Sequence, residues 1–308
     1  MPTYSLSRWS LGDLFPSIDG PELRKALSEL DRRAAAFEKH RKHLSPRIPT
    51  DRFLSWIREL EIIQTGARRL MAYAELRFAE DTQDPKAQAL LSSVQQRLTD
   101  LDNRVLFFPL WWKALPASAV RRLLAGAGPY RYFLEELLRF RPHTLTEPEE
   151  KIVNIKNSTG AQALATLYHT ITNRYAFDLE LDGGKKSLTR GELMVYTRSA
   201  DADVRAAAYR SLYRVYEKDG PILGQIYSAL VRDWRNENNT LRKFSSPIAA
   251  RNLANSLPDR IVRILLDVCA RNAAVFQKYF ALKAARLGMP RLRRYDLYAP
   301  VAASDRKF

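Results

Sequence analysis

Cysteine is nearly missing from this chain. Of its 308 residues one is cysteine, Cys269, which excludes an internal disulfide and any zinc site built from several thiolates. Cys269 follows Leu265 by four residues in the amphipathic stretch Ile261–Ala270, so it reads as a small buried hydrophobe on a helix. With only 12 glycines and 16 prolines, collagen-like and low-complexity classes are excluded. Long hydrophobic runs are also lacking. The longest, Val105–Trp112, is broken by Pro109 and falls well short of the roughly 20 residues a bilayer span requires. Met1–Trp9 carries no basic segment followed by an apolar one and no small-residue cleavage site, so the expected location is the cytoplasm.

Negative charge is in short supply as well: 34 acidic residues face 50 basic ones, a net charge of +16. Such a balance raises nucleic acid or an acidic membrane surface as a partner, and with it a complete helical adaptor or basic nucleic-acid-binding protein as a reading of the whole chain. The distribution points the other way. The pairs Arg32-Arg33, Arg68-Arg69, Arg121-Arg122 and Arg293-Arg294 lie far apart, and most other cations stand singly among Glu and Asp, so no basic stripe forms. Neither specific nucleic-acid binding nor membrane binding is expected. A compensating acidic portion outside these residues is the alternative source of balance.

What is present is helical periodicity. Leu23, Ala26, Leu27, Leu30, Ala34 and Phe37 recur at three- and four-residue spacing, with Asp19 and Glu22 set as a capping box. Phe53, Ile57, Leu60, Ile63, Leu70 and Tyr73 repeat the pattern, and Asp84-Pro85 opens a third helix through Leu91, Val94, Leu98 and Leu101. Phe107, Phe108, Trp111 and Trp112 read as core rather than as a stacking platform. Thr146 with Glu149 and Thr189 with Glu192 have capping-box spacing. Beyond Asp201 the stripe is Val204, Ala208, Leu212 and Val215, with Arg205 and Arg210 facing away. A last long helix starts at Ser256 with Asp259, buries Ile261, Ile264, Leu265, Val268, Val275, Phe276 and Tyr279, and stops at Gly288 and Pro290. The β signal is Phe177–Leu188, where Phe177, Leu179 and Leu181 alternate with acids and Asp182-Gly183-Gly184 supplies a turn. The expected fold is mainly α, a multi-helix antiparallel bundle carrying one small hairpin.

Catalytic motifs are absent. A zinc hydrolase helix needs two histidines four apart with a glutamate between them, and no HExxH occurs. The histidines are His40, His43, His143 and His169. Only His40 and His43 share a helical turn, and Arg41 and Lys42 between them repel a metal. The acids after His143 belong to a helix start, which favours negative charge. No GxSxG, phosphate-binding loop or Cys-His arrangement appears, and Asp182-Gly183-Gly184-Lys185 is too short and wrongly placed to cradle phosphate. By motif alone the chain assigns no catalytic residue and no metal-binding residue, and leaves the substrate-binding residues unknown.

Several stretches, in order, resemble one family. Trp9–Phe15, Arg141–Ile152, Phe177–Thr189, Asp203–Tyr209, Arg242–Ile248 and Arg294–Pro300 are similar to successive segments of the N-terminal half of oligoendopeptidase F, a zinc oligopeptidase of the thimet oligopeptidase clan. The resemblance implies the N-terminal part of a clam-like zinc oligopeptidase fold. Residues 1–115 would be a helical subdomain, 116–200 an oligoendopeptidase N-terminal-type segment with the hairpin near 177–188, and 201–308 the start of the catalytic domain, truncated before the zinc motif. It also implies a zinc metalloendopeptidase acting on oligopeptides, with this portion forming a wall of the substrate cleft. The family's zinc ligands lie on an HExxH helix and a later Glu, which match no position here. A partial chain, inactive alone and partnered by a catalytic half, is therefore expected. Apolar helix faces left wet are expected to drive association.

Overall fold

The computed structural model describes residues 9–181 and 184–301. Met1–Arg8, most of the stretch read for a leader, lie outside the described residues, as do Asp182 and Gly183 of the hairpin turn. The chain is a mainly helical, antiparallel multi-helix assembly with one two-stranded hairpin among the described residues. In order come α1 (Pro21–Glu38), α2 (Thr50–Glu80), α3 (Pro85–Val105), α4 (Phe107–Ala114), α5 (Ala117–Ala125), α6 (Arg131–Arg139), α7 (Glu147–Thr159) and α8 (Ala161–Asn173). The strands β1 (Phe177–Leu181) and β2 (Gly184–Leu188) follow, then α9 (Arg190–Tyr196), α10 (Ala202–Trp234), α11 (Pro247–Ala254), α12 (Asp259–Arg271) and α13 (Ala273–Arg286). Two compact units result, Met1–Thr166 with Asp233–Leu253 and Leu167–Arg232 with Ala254–Phe308.

The first unit is built on α1, α2 and α3. Their apolar stripes bury Leu23, Leu30, Phe37, Phe53, Ile57, Leu60, Leu91, Val94 and Leu101 in one core. Phe107, Phe108 and Trp112 of α4 complete that core, with Phe53 stacked on Trp112 at 5.2 Å between centroids. These aromatics are packing, as their local density predicts. In the second unit β1 pairs with β2 from Phe177 opposite Leu188 to Leu181 opposite Gly184. The alternation puts Phe177 and Leu179 inside, against Leu193 of α9 and Ala208 of α10. Gly184 sits at φ +111°, a conformation that L side chains rarely adopt.

Helix ends follow local chemistry where side chains can reach. Asp84 accepts from the Lys86 N–H at 2.9 Å, and the boxes at Thr146/Glu149 and Thr189/Glu192 both form. The Asp19/Glu22 box does not form. Gly20 is the cap residue and Pro21 fixes the first helical position, so Asp19 lies one residue too early; its carbonyl instead accepts from Arg24 at 2.5 Å. The long helix expected from Ser256 is two helices. Ser256 sits at φ +56° and the helix starts at Asp259 after Pro258, while Asn272 breaks the run by donating its side-chain amide to the Val268 carbonyl at 2.8 Å. The stop at Gly288 is as expected. With φ +66° it forms a Schellman end, its N–H reaching Ala285 O at 3.1 Å and the Met289 N–H reaching Ala284 O at 2.9 Å.

Candidate functional site

Of the four histidines, His40 and His143 are taken up locally by bonds and ring stacking. His40 stacks on Trp56 at 4.7 Å and its Nε2 meets Glu59 at 2.8 Å. His143 lies flat on Phe244 at 3.6 Å and donates from Nδ1 to the Arg242 carbonyl at 2.8 Å. His43 is exposed, and His169 is exposed beside Tyr168. Among the described residues no three His, Cys, Asp or Glu side chains converge as a metal set would. The described donors therefore do not form a set that fits the zinc the resemblance implies.

Around His143, two of the family-like stretches meet within the first unit. Arg242 grips Glu150 through both terminal nitrogens at 2.9 Å, bonds Glu237 at 2.9 Å and reaches the His143 carbonyl at 3.3 Å. The bidentate fork is geometry only arginine supplies. Burial pushes the Glu150 carboxyl up, but bonds from Arg242 and from the Leu145 N–H more than offset it and hold it below the usual range. Arg242 follows a π-helical stretch, Arg235–Leu241, whose wider turn brings Glu237 under the guanidinium. Sequence reasoning flagged both stretches and missed their union, because residues 92 positions apart leave no trace in spacing.

In the second unit the clearest correction concerns Arg205, expected on the solvent face. It is 1% exposed, bonding Asp296 at 2.8 Å and the carbonyls of Ser199 and Ala200 at 2.8 Å. The buried guanidinium is tolerable because each of its three nitrogens has an acceptor. Asp296 in turn takes the Arg293 N–H and Nε, both at 2.9 Å, and Lys283 donates to the Leu297 carbonyl at 2.7 Å. The segment after α13 is thus fastened by polar groups.

The second correction is the face of α12 and α13. Ile261, Ile264, Leu265, Val268, Val275, Phe276 and Tyr279, expected inside, are all exposed, and Cys269 is exposed with them. Leu265 is 60% and Phe276 56% open to solvent. The periodicity is real, but no element of the described unit covers it. Arg260, Arg263, Arg271 and Lys278 are exposed on the same two helices. Exposed apolar side chains on two successive helices favour association with other apolar surface. Leu265→Ser combined with Phe276→Ser is expected to reduce self-association of the purified chain, read as a smaller average mass in sedimentation at the same concentration.

Cavities in the first unit differ in what their polar groups are doing. One, of about 480 Å³ beside Trp111, is lined by Arg41 and Glu147, which are bonded to each other through two contacts at 2.7 and 2.8 Å. A second, of about 510 Å³, lies between α2 and the Pro129–Phe133 segment. There Tyr130 donates its hydroxyl to Glu61 at 2.8 Å, a bond that holds the phenol above its ordinary range, with Arg58 acting weakly the other way.

The fold defines a class: a helical arrangement shared with the N-terminal half of solved oligopeptidase structures. It superposes on an oligoendopeptidase-F from Enterococcus faecium with a TM-score of 0.81 at 22% identity, over 91% of this chain and 56% of that one. A putative peptidase from Chlamydophila abortus matches at 0.64 and 21% identity, over 95% of this chain and 49% of the other. The family model described as Oligopeptidase F, for the N-terminal region of M3 peptidases, matches residues 111–177. Oligopeptidase PepF of Bacillus subtilis is 21% identical over 95% of this chain and 44% of its own length, and an oligoendopeptidase F homolog of Borreliella burgdorferi is 20% identical over 96% and 49%. The chain is similar to the N-terminal portion of these oligoendopeptidase F proteins, and it spans about half the length of the curated relatives it matches. No described helix is long and apolar enough to cross a membrane.

Proposed function

We propose that this chain is the N-terminal part of a cytoplasmic, zinc-dependent metalloendopeptidase of the oligoendopeptidase F kind that hydrolyses short peptides, and that it forms one wall of the substrate cleft. The observation that carries this reading is the fold likeness to oligoendopeptidase-F across 91% of the chain. In it, residues 1–115 are a helical subdomain, 116–200 the oligoendopeptidase N-terminal-type segment, and 201–308 the beginning of the catalytic domain. Its partners are an oligopeptide and the polypeptide that bears the HExxH helix. In this reading the metal ligands lie on that HExxH-bearing portion; among the described residues of this chain no metal set converges. The apolar face of α12 and α13 is where that polypeptide docks, because exposed Leu265, Leu266, Phe276 and Tyr279 have no cover of their own.

A complementation assay tests the proposal. Alone, the purified chain is expected to leave a quenched fluorescent oligopeptide intact. Mixed with a separately produced HExxH-bearing half of an oligoendopeptidase F, it is expected to restore cleavage that a chelator abolishes. Chelator-sensitive cleavage by this chain alone, or no gain on mixing, would overturn the reading.

A further inference from the structure

Several arginines that cross between elements of the first unit are paired with carboxylates: Arg41 with Glu147, Arg104 with Glu38, Arg242 with Glu150 and Glu237. The groove between α2 and the Pro129–Phe133 segment is different. Glu61, Gln64, Thr65 and Arg68 line it from α2, at positions i, i+3, i+4 and i+7 of one helix face. Among the described residues the side chains of Gln64, Thr65 and Arg68 have no hydrogen-bond or ion-pair partner, and Glu61 accepts only the Tyr130 hydroxyl. The floor is apolar, with Ile57 and Leu60 nearly closed to solvent and Phe133 opposite them. A volume of about 510 Å³ is within the range of small-ligand sites.

The charges sit at the two ends of that floor. Seven helical residues separate Glu61 from Arg68, roughly 10 Å along the axis. An extended chain advances about 3.3–3.6 Å per residue, so three residues span that distance with an ammonium at one end and a carboxylate at the other. Gln64 and Thr65, between the charges, offer a donor and acceptors at the height of the peptide groups.

We infer that this groove binds short peptides with free termini, of about three residues, with the ammonium against Glu61, the carboxylate on the Arg68 guanidinium and a central apolar side chain on Ile57, Leu60 and Phe133. The choice of peptide among zwitterions rests on the function proposed above, while the charge pattern stands on the groove itself. Two end charges and a partly open apolar floor correspond to a Kd on the order of 1 mM.

The test is ligand-observed NMR titration of the purified chain with the tripeptide alanyl-leucyl-alanine, its N-acetylated form and its C-terminal amide. Each blocked end is expected to weaken binding about tenfold, the loss of one charge-assisted contact. Arg68→Ala should remove the difference between free acid and amide, and Glu61→Gln the difference between free amine and acetyl peptide. Both positions are exposed, so the variants should stay folded, which circular dichroism verifies. Equal affinity for the three peptides, affinities unmoved by both substitutions, or no saturable binding by about 10 mM would overturn the inference. If complementation restores peptidase activity and the tripeptide does not bind, the groove assignment alone falls. If the tripeptide binds with the expected end dependence and complementation fails, the groove assignment stands and the peptidase reading falls.

Discussion

Arg205→Ala is expected to lower the stability of the second unit by about 3–5 kcal/mol, because it strands a buried carboxylate rather than merely deleting a contact. Arg205 and Asp296 are 1% and 0% exposed, and the arginine also satisfies the carbonyls of Ser199 and Ala200, so four bonds disappear together. Asp296 keeps Arg293, which bonds it from a half-exposed side chain and cannot replace the lost donors. Urea unfolding followed by circular dichroism measures the change. A loss below about 1 kcal/mol would mean that water enters the site and solvates the carboxylate. Arg205→Lys should recover only part of the stability, since an ammonium cannot span Asp296 and two carbonyls with a planar fork.

The same pair sets a pH dependence. Burial alone would raise the Asp296 carboxyl, but hydrogen bonds from Arg293 and Arg205 more than offset it and bring its pKa to about 2. A carboxyl that ionises more readily when folded stabilises the fold above its unfolded pKa, and that stabilisation drains away as pH falls from the unfolded value through about 2. The contribution is about 2–3 kcal/mol at neutral pH. In the Asp296→Asn variant the stability lost between pH 4 and pH 2 should be smaller by about 2 kcal/mol. An unchanged loss would assign acid sensitivity to other carboxyls.

Trp112→Ala is expected to cost the first unit a further 3–5 kcal/mol, by roughly the range found for large aromatic truncations in cores. Trp112 is wholly buried, stacks on Phe53 at 5.2 Å and donates its indole N–H to the Leu134 carbonyl at 3.0 Å. Removing it opens a cavity among Phe53, Phe108 and Leu134 and unties α4 from α6. Trp112→Phe keeps most of the packing and drops the hydrogen bond, so its smaller cost, about 1 kcal/mol beyond the volume change, isolates that bond. Thermal unfolding of the two variants side by side separates the terms. Equal losses would place the whole effect in the indole N–H and none in the cavity.

Helix content, the presence of the hairpin and three side-chain caps were legible because they depend on neighbours within a few residues. Asp84, Thr146 and Thr189 act on amides two or three positions away, and the alternation of Phe177 and Leu179 decides which strand face is buried. Even the failed Asp19 cap is a local matter, settled by Pro21 one position further on than the box required. The absence of a metal-binding motif was equally a property of the string of residues. What spacing could not carry were the pairings across distance: Arg242 with Glu150, Arg205 with Asp296, and Glu61 with Tyr130.

Periodicity states that a helix has an apolar face and is silent on what, if anything, lies against that face. On α1, α2 and α3 the stripes found one another and form the core; on α12 and α13 equally clear stripes, through Leu265 and Phe276, meet solvent. The same holds for charge. Arg205 reads as a surface residue by type, and only the return of Asp296 from 91 positions later makes its burial affordable in free energy. The sequence by itself determined which segments are helical, how most of them begin and end, and which family they resemble. Tertiary structure alone decided which apolar faces are covered and which cations are buried, because burial is a property of pairs of surfaces and not of one.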